Sequence, residues 1–222
     1  MKKTLLASLC VLSLPVSASL PGMDNSMSVQ ERKEAFFEAV YQEALGASKR
    51  VVDDKNYLNQ DRNLNSLCIK YKVKCNSETT GLELAKKVDL IKPSQILAQA
   101  AIESGWGTSR FALEGNNIFG VWCWTEGCGL KPSGAPEESK YWVKRYSSIK
   151  ESINDYILNL NTHDAYQKFR DIRFKSDDVI EQLNGLEKYS QEEGEYIAKL
   201  QAIIKYNNLK QYDERFEIDI NN

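Results

Sequence analysis

Glu103 stands where an apolar helical run gives way to glycine, in the stretch ILAQAAIESGWGTSRFALEGNNIFGVWCWTEGC from Ile96 to Cys128. Pro93 and Ser94 suit a helix start, and Ile96, Leu97, Ala100 and Ala101 recur with helical period. Gly105 and Gly107 stop the helix, which puts Glu103 in its last turn beside Trp106. An aromatic neighbour desolvates the carboxyl, and the C-terminal end of a helix is its negative end. Both effects disfavour the ionised form and raise the pKa. A carboxylic acid kept protonated near neutral pH can hand its proton to a departing oxygen, as cleavage of a glycosidic bond requires.

With that helix end as its centre, AIESGWGTSRFALEGNNIFGVWCW resembles the core of glycoside hydrolase family 73, and within it the bacterial Bax-type glucosaminidases. The resemblance runs over roughly 36–209 and is sharp in three places. These are ESGWGTSR with NNIFG, NLNTHDAY from Asn159 to Tyr166, and YSQEEGEYIAKL from Tyr189 to Leu200. It implies an endo-β-N-acetylglucosaminidase that cuts the β-1,4 bond following N-acetylglucosamine in peptidoglycan, with Glu103 as general acid. It also implies that Tyr189 lines the cleft and assists Glu103. No cofactor or metal enters that chemistry.

A second carboxylate is less well marked. In the family the partner acid, when present, lies in a β lobe downstream, where Glu126, Glu137 and Glu138 are the candidates. Bax-type sequences often carry a Glu at the place that aligns with Trp142. One essential acid, with a loosely placed base or with the substrate's own 2-acetamido oxygen attacking, therefore ranks above a rigid pair.

Asn117 carries an amide that both donates and accepts, which suits either a left-handed turn or an N-acetyl group; the turn is the first reading and substrate contact the second. Trp122, Trp124 and Trp142 cluster in the stretch after NNIFG and read as an aromatic wall for stacking sugars, shared with the small core such a lobe needs. Trp106 and Phe119 read as packing residues. His163, the sole histidine, reads as a hydrogen-bonded structural residue.

The elements that must position these residues follow from periodicity. The fold class is mainly α: a lysozyme-like helical lobe, a small β-hairpin lobe over about 121–146, and an N-terminal helical arm. A long or broken helix is expected from Val29 to about Leu67, a short loop or extended piece over Cys68–Asn76, and a helix over Thr79–Val88. Gly127, Gly129, Pro132, Gly134 and Pro136 punctuate the β lobe. Helix returns near Ser148, with Ser148 and Glu151 spaced as a capping box, and again over Asp177–Asn184 and Glu193–Tyr206. The domain reading is residues 1–18 as a signal peptide, 19–76 as leader and arm, and 77–212 as the catalytic domain.

Lys2 and Lys3, the apolar run Leu5–Leu14 and Val16-Ser17-Ala18 have the form of a secretory signal, too short to span a bilayer. The expectation is an exported protein of the periplasm or cell envelope, with no stable membrane insertion after signal removal, and monomeric. The chain has 29 basic and 31 acidic residues, and loss of Lys2 and Lys3 leaves 29 − 2 = 27 basic ones. That balance argues against nucleic acid and against electrostatic capture by an anionic wall. Peptidoglycan glycan strands must instead be held by stacking and hydrogen bonds. Past the signal, Cys68, Cys75, Cys123 and Cys128 remain; four cysteines allow three pairings, and short loops favour Cys68–Cys75 with Cys123–Cys128. Two readings compete with glucosaminidase action. One is muramidase or lytic transglycosylase action on the neighbouring bond; the other is a non-catalytic wall-binding module, against which the intact ESGWG argues.

Overall fold

The computed structural model describes residues 27–221 apart from 61, 63, 76, 77, 191 and 192. The signal expected over residues 1–18 lies outside the described residues, as does most of the leader. Helix α1 spans Val29–Asn59 and starts on a capping box, with Ser28 Oγ accepting from Glu31 N–H and Glu31 accepting from Ser28 N–H. It ends at Gln60, so the long arm is two helices, with α2 at Leu64–Tyr71.

The loop expected at Cys68–Asn76 is corrected here: the chain stays helical through Tyr71. Leu67, Cys68 and Tyr71 form a helical stripe that buries against Leu84 of α3, Thr80–Lys87, and Val88 just past its end, in a satellite core. Cys68–Cys75 fastens the end of α2, and Cys123–Cys128 closes a loop in the β lobe. These are the two short-loop pairings.

Helix α4, Pro93–Ser104, runs through the centre of the main core and buries ten of its 12 residues. Phe36, Phe37, Val40, Tyr41 and Ala44 of α1 pack into the same cluster as Ile96, Leu97, Ala100 and Ala101, so the N-terminal arm is docked on the main core. A short α5, Arg110–Gly115, follows, then the β lobe. Its strands are β1 Trp122–Cys123, β2 Gly129–Leu130 and β3 Trp142–Lys144, antiparallel in the order β1-β3-β2. Trp122 pairs with Val143, and Leu130 pairs with the same residue from the other side.

Helix α6, Ile149–Thr162, starts with Ser148 Oγ accepting from Glu151 N–H. The Glu151 side chain turns away to accept from Arg50 of α1, so only half of the expected capping box forms. Helices α7 (Gln167–Arg173), α8 (Val179–Leu183), α9 (Glu193–Tyr206) and α10 (Lys210–Asp219) complete the helical lobe. Helices α5, α7 and α10 lie outside the helices expected from periodicity, being short or dominated by charged residues.

Candidate active site

Glu103 lies in the last turn of α4, where three successive left-handed residues turn the chain outward: Gly105 (φ 56°), Trp106 (φ 61°) and Gly107 (φ 80°). Trp106 N–H donates to Ala101 O at 2.9 Å, the six-residue closure of a helix C-terminus. Ser104 Oγ donates to Ala100 O at 2.6 Å and accepts from Gly107 N–H at 2.7 Å, which pins the turn from inside. Trp106 bears a side chain in a region that costs a non-glycine residue about 1–3 kcal/mol. Its ring offsets this by packing 6.0 Å from Phe36 and 5.3 Å from Phe37, under Lys33 Nζ at 4.8 Å. Trp106 is a packing residue.

The carboxyl is half-buried. Its Oε1 accepts from the hydroxyl of Tyr196 on α9 at 2.9 Å. On the other side, a Cβ built at Gly120 would lie 4.0 Å from Oε2, so the NNIFG turn closes next to that oxygen. Burial raises the Glu103 pKa, and the Tyr196 hydrogen bond only partly offsets it by favouring the carboxylate. Among the described residues, Glu103 has no second carboxylate as a bonding partner.

Tyr189 ends a 3-10 turn at Glu187–Tyr189 and stacks flat on Tyr196, centroids 5.5 Å apart at 7°. It also meets Tyr156 edge-on at 6.3 Å. Of the two tyrosines in YSQEEGEY, the second therefore touches the Glu103 carboxyl, and Tyr189 backs it. Burial pushes the hydroxyls of both well above the ordinary phenol range. Sequence reasoning passed over Tyr196, along with Gln95 and Gln99. The signal for the glutamines was the spacing itself, since 95, 99 and 103 lie four apart on one helix face.

Asn117 is 2% exposed. Its Nδ2 donates to Val121 O at 2.9 Å and Lys144 O at 2.8 Å, while Oδ1 accepts from Phe119 N–H and Val121 N–H. The amide thus ties the NNIFG turn to β3. Phe119 stacks on Tyr156 at 4.0 Å and so joins that turn to the tyrosine cluster.

In the β lobe, Trp122 is 46% exposed and Trp124 73%, while Trp142 is half-buried beneath Lys131 Nζ at 4.4 Å. Trp122 meets Tyr141 at 5.2 Å. Glu126 sits on the exposed turn inside the Cys123–Cys128 loop, and Glu137 and Glu138 are exposed between β2 and β3. His163 lies between α6 and the next turn, where Nδ1 accepts from Ala165 N–H at 3.1 Å.

A half-buried carboxyl at a helix end thus accepts from a tyrosine hydroxyl and lies beside the turn that leads into the small β lobe. The model of the glucosaminidase family, described as mannosyl-glycoprotein endo-beta-N-acetylglucosaminidase, matches residues 79–209. The chain belongs to the glucosaminidase family. Protein bax of Escherichia coli is 34% identical over 171 residues, covering 71% of this chain and 61% of that protein. Peptidoglycan hydrolase FlgJ of Vibrio parahaemolyticus is 29% identical over 47% of this chain and 38% of its own length. Exo-glucosaminidase LytG of Bacillus subtilis is 27% identical, covering 56% of this chain and 47% of its own length. The chain thus spans less than two thirds of each of these relatives. In structure, it is similar to the catalytic domain of the autolysin Auto from Listeria monocytogenes, with a TM-score of 0.52 at 23% identity over 84% of this chain and 90% of that one. That likeness bears on the fold.

Proposed function

We propose that this protein hydrolyses the β-1,4 bond following N-acetylglucosamine in peptidoglycan, outside the cytoplasm, with Glu103 as general acid. The observation that carries the reading is a half-buried carboxyl at the end of α4 whose Oε2 faces the NNIFG turn while Oε1 is held by Tyr196, a place where burial raises its pKa. Oε2 is then the oxygen that carries the proton to the leaving group. Tyr189 acts from behind, as the plane on which Tyr196 rests. Asn117 shapes the turn and leaves sugar recognition to other groups.

Trp122 and Trp124 are the stacking platforms, since both present ring area to solvent in the lobe beyond the acid. Glu126, exposed on its turn, is the candidate for a protein nucleophile or base. A substrate whose 2-acetamido oxygen attacks the anomeric carbon removes the need for one. Among the described residues, no helix is long and apolar enough to cross a membrane.

Mass spectrometry of digested peptidoglycan tests the bond assignment. Fragments ending in reducing N-acetylglucosamine are expected. Reducing muramic acid would establish a muramidase, and 1,6-anhydro ends a transglycosylase.

A further inference from the structure

Helix α4 carries three polar side chains on the face that looks toward α6 and α9: Gln95, Gln99 and Glu103, each four residues from the next. Gln95 and Gln99 are completely buried, a costly place for an amide unless its bonds are made; both polar atoms of Gln99 and the Nε2 of Gln95 are bonded, while Gln95 Oε1 is left without a partner. Their bonds run in one direction. Gln95 Nε2 donates to the Tyr156 hydroxyl at 3.0 Å, and that hydroxyl donates to Gln99 Oε1. Gln99 Nε2 donates to the Tyr196 hydroxyl at 2.9 Å, and Tyr196 donates to Glu103 Oε1 at 2.9 Å. Gln95 Nε2 also reaches Gln99 Oε1 at 3.2 Å.

From this geometry we infer that Gln99 is a positioning residue: it fixes which way the Tyr196 hydroxyl points and so which oxygen of Glu103 carries the acid's proton. The inference rests on Glu103 being the acid, but its core can be measured without catalysis. A hydroxyl that accepts from an N–H has its own proton free for another partner. Because Gln99 offers Tyr196 an N–H, the hydroxyl proton is directed onto Glu103 Oε1. Tyr156 keeps the Gln99 amide from turning over, since a flipped amide would set an N–H against the Tyr156 donor. Oε1 is thereby kept as an acceptor, and the proton of the neutral acid is confined to Oε2, beside Gly120. The relay is static. No proton moves along it, and the same Tyr196 bond serves the carboxylate left after proton donation.

The titratable groups that sense the Glu103 charge are phenols: Tyr156 on α6, Tyr166 beside it, Tyr189 on the 3-10 turn and Tyr196 on α9. Burial raises all four, so they remain neutral while Glu103 titrates. A change at Gln99 therefore reaches Glu103 through hydrogen bonding alone.

Carbon-13 NMR of protein labelled at glutamate carboxyls follows the Glu103 midpoint directly, the resonance being assigned by its loss in Glu103→Gln. Tyr196→Phe removes a bond that favours the carboxylate and is expected to raise the midpoint. Gln99→Met keeps the volume but no longer orients Tyr196, and should shift the midpoint in the same direction. In the double variant Gln99→Met should add nothing, since its effect passes through Tyr196. The alkaline limb of kcat/KM should move up with the midpoint, and kcat should fall by up to about 100-fold with KM little changed.

Tyr156→Phe is the second route. It preserves the ring stacked on Phe119 but frees the Gln99 amide to turn, and it too should raise the midpoint. A midpoint unmoved by both Gln99→Met and Tyr156→Phe, or a Gln99→Met shift that persists in full without Tyr196, would overturn the inference. Failure of the acid assignment would look different: Glu103→Gln would stay active while the NMR midpoints kept the stated order.

Discussion

Asp213 of α10 caps the first turn of the helix that carries Glu103 at its other end: Ser94 N–H donates to Asp213 Oδ1 at 2.8 Å and Ser94 Oγ to Oδ2 at 2.6 Å. The helix has no cap from its own flank, because Lys92 precedes Pro93 and offers no acceptor. A carboxylate at the positive end of the dipole supplies it from 119 residues away. Arg215 then ties α10 to α1 through Glu38 at 2.7 and 3.0 Å. Both α1 and α10 lie outside residues 79–209, which carry the family likeness, yet they hold its central helix.

Asp213→Ala should therefore destabilise the fold by about 1–2 kcal/mol, the cost of a lost N-cap. Urea unfolding with an unchanged slope measures it. A loss within about 0.3 kcal/mol of zero would show that water caps α4 equally well.

The β lobe closes through a glycine. A Cβ at Gly129 would fall 2.0 Å from Val143 O and 2.6 Å from its carbonyl carbon, contacts with backbone that no rotamer can relieve. Gly129→Ala should force β2 away from β3 and cut activity along with stability. Gly81→Ala, where nothing lies within 4 Å and the backbone is helical, should stabilise by about 0.5–1 kcal/mol. Thermal melts and wall clearing of the two variants check the contrast, and equal melts would contradict it.

Cys123–Cys128 spans only 5 positions, so its chain-entropy gain falls below the ~3 kcal/mol of a fifteen-residue loop. Its effect is local, on the β1 end that bears Trp122 and Trp124. The Cys123→Ser/Cys128→Ser double variant should lose wall affinity more than melting temperature. A large fall in melting temperature with normal affinity would refute this.

Much of the site was legible in sequence because its signals are local. Pro93 at the helix start and Gly105 at its end bracket Glu103, and the glycine and proline spacing marks the β lobe. The four-residue spacing of Gln95, Gln99 and Glu103 was equally legible, but polar residues on a helix ordinarily face water. Here α4 is surrounded by other elements, so those amides are interior. The hydroxyl that meets Glu103 belongs to Tyr196, 93 positions away, and no local pattern distinguishes it from Tyr189. Likewise α10 is mostly charged: it buries Phe216 in the main core with Tyr212 against it, and Asp213, Arg215 and Asp219 tie it to α4 and α1.

The raised pKa of Glu103 has a consequence for stability. A group whose folded pKa exceeds its unfolded value, ordinarily about 4.3 for Glu, favours folding below the unfolded pKa and loses that contribution as pH rises through the folded one. Glu103→Gln abolishes the cost of ionising a half-buried acid. The variant should match the native protein near pH 4 and gain melting temperature over it as pH rises to neutrality. A difference independent of pH would show that Glu103 is not held above its ordinary range.

The most direct test of the central claim is peptidoglycan digestion by Glu103→Gln. Gln keeps the shape and can still accept from Tyr196 through its carbonyl, but it has no proton to give the leaving oxygen. General acid catalysis is worth about 10²–10⁴-fold, so clearing should fall by that factor while wall binding and circular dichroism stay native. A folded Glu103→Gln protein that clears the wall at near-native rate would contradict the account.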